Sequence, residues 1–127
     1  MTRRPKTLDE LNERFKWAMD RTVWDWIVPV RYRRDGVIRG DCEGYAWLAS
    51  RIEAGSLLVH WLRVLTCLTC FWLTRDKFGR GHVHVWSFGH GWIDNQHPAW
   101  GARMHRRGLP VQPVLYLAGA VGLWLGG

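Results

Sequence analysis

Acidic residues almost vanish from the second half of this 127-residue chain: from Lys77 onward Asp94 stands alone against five basic residues. A carboxylate needed in that half can only be Asp94. Lysine is scarce too, three against fifteen arginines, so the net charge of +7 rests on guanidinium groups, with clusters at Arg31-Tyr32-Arg33-Arg34 and His105-Arg106-Arg107. Such a surface attracts anionic lipid, acidic polymers such as cell-wall material, or nucleic acid. Neither cluster is interleaved with aromatics as a base-stacking platform would be. Nucleic acid is therefore not an expected partner, and a solvated basic surface is the simpler reading.

Cysteine is sparse and odd in number, three residues, which excludes a disulfide framework and points to free thiols in a reducing compartment. The basic N-terminus runs into polar, helical sequence rather than an apolar core, so no export leader is expected. Internal repeats and low-complexity segments are absent, which excludes a solenoid. No apolar run reaches the ~20 residues of a bilayer span. Residues 57–73 come nearest, but His60 and Arg63 interrupt them, and their β-branched second half predicts a strand. Cys67 and Cys70 fall in that run, where residues three apart point to opposite faces; they are expected as core cysteines rather than as a metal or redox pair.

What remains fits one α+β domain. Thr7-Leu8-Asp9-Glu10 is a capping box, and Leu8, Leu11, Phe15, Ala18, Thr22 and Trp26 recur at helical spacing, predicting a first helix that Pro29 ends. Asp35-Gly36 is a turn signal. A second helix is predicted from about Cys42 to Glu53, stopped by Gly55. Ten tryptophans spread over the length are expected mainly as core, with Trp86 and Trp92 the candidates for lining a cleft.

Two segments carry chemistry. Gly40-Asp41-Cys42-Glu43-Gly44-Tyr45-Ala46 puts a thiol at a predicted helix start, where Asp41 caps and unpaired N–H groups favour the thiolate. Gly81-His82-Val83-His84-Val85-Trp86 alternates as a strand, and Asp94 follows on a returning strand after Gly89-His90-Gly91, so a nucleophile, a base and an orienting carboxylate occur in the order Cys, His, Asp. A hairpin looped at Phe88-Gly89-His90 sets Asp94 opposite His84 and diagonal to His82; a loop two residues longer sets it opposite His82.

The stretch Gly40 to Ala46, with Gly81 to Val85 and Trp92 to Asn95, resembles the nucleophile, His and Asp-Asn motifs of bacterial transglutaminase-like cysteine peptidases. The resemblance spans roughly Arg39 to Trp100. It implies a papain-like, transglutaminase-like core, with N-terminal helices packed on a small antiparallel sheet. It also implies catalytic Cys42, His82 and Asp94, and no cofactor. The expected activity is a thiol hydrolase that cleaves an amide bond in a protein or peptidoglycan substrate, with backbone N–H groups at the helix start, that of Cys42 included, holding the oxyanion. Small size and richness in Arg and Trp fit a bacteriophage or prophage protein, located in the host cytoplasm or the virion. The alternative is a virion structural or interaction protein that keeps the fold with an idle site and binds phage structural proteins. Zinc held by His82 and His84 with Cys42 and Asp94 suits a lone helix-start thiol less well, and no metal is expected.

The end of the chain differs in character. Residues 1–108 form the expected domain. Residues 109–127 carry no charge and follow Arg103, Arg106 and Arg107, so 113–125 are expected either to contact a membrane or to pack on protein.

Overall fold

The computed structural model describes residues 4–17, 30–32, 35–75, 81–101 and 108–124. The fold is α+β, with the helices set against two small sheets. Helix α1 (Leu8–Arg14) opens on the Thr7 cap, with the Glu10 N–H donating to Thr7 Oγ1 at 3.1 Å, while the Glu10 carboxylate accepts the Lys6 N–H at 3.0 Å. It ends well short of the helix predicted to Pro29. Phe15 turns extended, its ring meeting Tyr45 edge-on at 5.2 Å, and strand β1 (Phe15–Trp17) begins there. From Phe15 to Trp17 the chain pairs as a strand: β1 runs parallel to β3 (Ile38–Gly40), which pairs antiparallel with β2 (Val30–Tyr32). Ala18, Thr22 and Trp26 lie outside the described residues.

Helix α2 (Cys42–Ala54) is the centre of the molecule. Asp41 caps it, and Gly55 ends it with φ of 84°, a left-handed conformation that glycine adopts without a Cβ penalty. Every residue from Cys42 to Ser50 is buried, because α1 and β3 lie against it together with the second sheet and helix α3 (Leu57–Leu65). A helix covered on all sides holds its first residue rigidly.

The first part of the 57–73 run is helix α3, and the strand expected in its second half is β4 (Thr69–Arg75). Ser56 Oγ accepts the Val59 N–H at 3.1 Å and starts the helix, His60 and Val64 make its buried face at i, i+4, and β-branched residues become frequent only near its end. Cys67, with φ of 61°, makes the turn between helix and strand. The core placement expected for the C-x-x-C pair is therefore not observed: Cys67 is exposed and Cys70 half-buried.

The second sheet has the order β6-β5-β4-β7, antiparallel throughout, where β5 spans Gly81–Ser87, β6 Gly91–Ile93 and β7 Leu109–Pro110. Ser87 pairs with Gly91, so the hairpin loop is Phe88-Gly89-His90. Gly91 has φ of 87°, and a Cβ there would come within 3.2 Å of the Gly101 backbone.

Residues 109–124, set apart in the sequence by their lack of charge, join this same core. β7 extends the sheet, and helix α4 (Gln112–Ala120) buries Leu115 and Ala118, with Trp124 buried just beyond it. Gln112 fastens the segment: its Oε1 accepts the Phe71 N–H at 3.0 Å, and its amide donates to Val64 O at 2.7 Å and Thr69 O at 3.1 Å. Trp47 packs its ring against those of His60, Trp61, Phe71 and Trp124; of the described tryptophans Trp47 and Trp124 are buried core, whereas Trp17 is exposed and the others are half-buried. Among the described residues no helix is long and apolar enough to cross a membrane.

Candidate active site

Two elements meet at the thiol. The α2 cap places Cys42 against β5, and the Val83 N–H donates to its Sγ at 3.2 Å. Val83 sits between His82 and His84 on the strand, so Cys42 lies against the backbone link that joins the two imidazoles. The ring of His82 is held in turn, with Nε2 donating to Asp94 Oδ2 at 2.6 Å, both groups buried. This leaves Nδ1 as the nitrogen of His82 not engaged by Asp94.

Asp94 is fixed by the turn that follows it. Its Oδ1 accepts the N–H groups of Gln96 at 2.9 Å and His97 at 2.6 Å, and His97 Nδ1 lies at 3.1 Å. Burial alone would raise this carboxyl, but the bonds and charges of His82 and His97 outweigh it and hold Asp94 below the usual carboxylate range.

His84 stands differently. It is 2% exposed, its Nε2 has no hydrogen-bond partner among the described residues, and the ring of Trp92 meets it edge-on at 4.8 Å. Burial pushes it down to about 4, against a partial upward pull from Asp94, so it is neutral at physiological pH. Of the two histidines left open by the sequence, His82 is the one bonded to Asp94.

The electrostatics of Cys42 reverse the sequence expectation of a thiolate. Burial is the largest effect and raises the thiol, the charges of Glu43 and Asp41 raise it further, and the Val83 N–H opposes them only in part. Sγ donates to Glu43 Oε2 at 3.4 Å, and donor atoms of Asp41, Cys42 and Glu43 lie within 4.8 Å of one another. Burial, reinforced by the two carboxylates, keeps the group a neutral thiol. The Cys42 N–H is also not free for an oxyanion, since it donates to Asp41 Oδ1 at 2.7 Å. That oxygen accepts Trp17 Nε1 as well, at 3.0 Å.

Tyr45, one turn along α2, is a neighbour the motif reading passed over as chemistry. Its hydroxyl donates to Asn12 Oδ1, and burial followed by the charge of Asp94 raises it. Of the two aromatics expected to line a cleft, Trp92 touches His84, whereas Trp86 packs on Phe88 at 6.4 Å. No family model matches the chain, and no curated protein or solved structure matches it either.

Proposed function

We propose that this protein is a thiol hydrolase with a papain-like core. In this reading Cys42 attacks the acyl carbon of an amide, His82 carries the proton and Asp94 orients the ring. The observation that carries it is the placement of Cys42 Sγ at 3.2 Å from the Val83 N–H, next along the strand from a His82 whose Nε2 is held by Asp94 at 2.6 Å. Because the thiol is neutral, His82 acts as a general base during attack rather than as half of a standing ion pair. The proton passes to the imidazole as the sulfur–carbon bond forms, then to the leaving amine as the tetrahedral intermediate collapses, and water later frees the acyl group.

The substrate class proposed is an amide in a protein or in peptidoglycan, in a bacteriophage setting inside the host or the virion. The test is incubation with denatured protein and with purified peptidoglycan, scoring new amino groups. Release that Cys42→Ala abolishes supports the reading, and release that survives this substitution contradicts it.

A second reading, a phage particle protein with an idle site, is favoured by one observation. Cys42 is 4% exposed, whereas Leu58, Leu62 and Leu65 on α3 and Leu117 on α4 are largely exposed. Under this reading those helices make contacts in the particle, and Cys42→Ala leaves assembly unchanged.

A further inference from the structure

The face of β5 that carries His82 also carries His84, a residue that acyl transfer does not use. His84 meets the ring of His82 edge-on with centroids 6.1 Å apart, and it is buried with an Nε2 that has no hydrogen-bond partner among the described residues. A buried nitrogen without a partner loses its hydration and receives nothing in exchange, so a group that fills it is bound favourably. Donor atoms of His82, His84 and Asp94 all lie within 4.8 Å of one another. On a tetrahedral ion with bonds of about 2.0–2.2 Å, adjacent donors stand roughly 3.3–3.6 Å apart. Side-chain adjustments on the order of an ångström therefore close the set around one ion.

The chemistry of the donors selects the ion. Two imidazoles and a carboxylate suit zinc, iron(II) or cobalt(II) and not the all-oxygen cages of calcium and magnesium. Strand alternation puts both histidines on one face at i, i+2, and the backbone donors of Gln96 and His97 hold Asp94 against them. Bonds of this kind to a ligating carboxylate orient it toward a metal.

We propose that His82, His84 and Asp94 form a binding site for a divalent transition-metal ion, with zinc as the reference ion and a fourth position open. The ion takes donor capacity on His82 and Asp94 that the proton shuttle requires, so metal binding and thiol chemistry are mutually exclusive states of one face. The site extends beyond the hydrolase reading, because metal binding does not need Cys42.

The test uses the full chain carrying Cys67→Ser and Cys70→Ser, so that the C-x-x-C thiols do not compete for metal. Calorimetric titration with Zn²⁺ is expected to show one ion per chain, and Co²⁺ is expected to give visible absorption without a thiolate charge-transfer band. His84→Ala should weaken Zn²⁺ binding by about tenfold or more, since even residues that merely support a ligand are worth that much. Cys42→Ala should leave the affinity unchanged. If His84→Ala does not fold, His84→Gln, which keeps much of the ring's volume, gives the same comparison. No stoichiometric binding to the folded protein, or equal affinity after His84 is replaced, overturns the proposal. A thiolate band that Cys42→Ala removes overturns it as well. A chain that acylates Cys42 but binds no metal refutes only the metal site, and one that binds metal but never acylates refutes only the hydrolase.

Discussion

His82 and Asp94 meet at 2.6 Å across a diagonal of the β5–β6 hairpin, although extending the ladder by one step from Val85 and Ile93 sets His84 opposite Asp94. The turn at Gln96 and His97 grips Oδ1 and leaves Oδ2 for His82. Asp94→Asn should therefore keep the fold, because an amide oxygen still accepts both backbone N–H groups. Its NH₂ would face Nε2 and force the ring proton onto Nδ1, which removes the lone pair that takes the thiol proton. Acylation of Cys42 should fall by about 10⁴-fold, the scale known for this change in a triad. Unfolding with acylation per folded molecule intact would make Asp94 a structural group.

Acid should destabilise the protein before most carboxylates titrate. Burial pushes His60 down to about 3 and His84 down to about 4, from an ordinary 6.5. Both sit below their unfolded values, so the unfolded chain binds more protons through this window. Their contribution is complete above about pH 6.5 and is lost as pH falls toward 4 and then 3. For His60 alone the loss by pH 4 is about 3 kcal/mol. Urea midpoints measured across this range should fall steeply, and His60→Gln should flatten the slope. A midpoint that stays level between neutrality and about pH 4.5 would contradict the buried neutral histidines.

Alkylation should follow exposure and not the helix start. Cys67 is exposed, Cys70 is half-buried with its thiol pushed up to about 11, and Cys42 is buried with its thiol raised further by two carboxylates. Brief iodoacetamide treatment followed by peptide mass spectrometry should find label on Cys67 first and on Cys42 last. Early label on Cys42 would show that the helix start prevails over burial and the flanking charges.

The C-terminal segment should behave as core. Leu115 is fully buried, and Leu115→Ala should cost about 2–5 kcal/mol. Gly119 lies so close to Trp61 that an added Cβ would come within 2.3 Å of the ring, so Gly119→Ala should cost roughly 1–3 kcal/mol. A chain ending at Gly108 should melt far lower than the full chain. Unchanged melting would restore the segment as a detachable membrane or particle contact.

Local signals carried much of this fold. The Thr7 capping box, the Asp41 cap with Gly55, and the alternation from Gly81 to Trp86 each act through neighbours in sequence, and each element formed where they pointed. The errors came from tertiary competition. Nothing within the run from Leu8 to Trp17 announces that Phe15 will leave the helix to pack on Tyr45 and pair with Ile38. The first half of the 57–73 run, for which no element was predicted, is helix α3 because the Ser56 cap starts it. At the site, residue types and order were legible, but two properties depend on distances no motif contains: the diagonal reach from His82 to Asp94 and the neutral thiol beside Glu43. The orphaned Nε2 of His84 is likewise a fact of packing.

The most direct test of the central claim, that Cys42, His82 and Asp94 form one acyl-transfer site, is single-turnover acetylation by p-nitrophenyl acetate. It is run on the chain carrying Cys67→Ser and Cys70→Ser. The account predicts a burst of one nitrophenolate per chain, an acetyl group on Cys42 by mass spectrometry, and loss of the burst in both His82→Ala and Asp94→Asn. Acetylation of Cys42 at the same rate in either variant, or no acetylation of Cys42 at all, would contradict it.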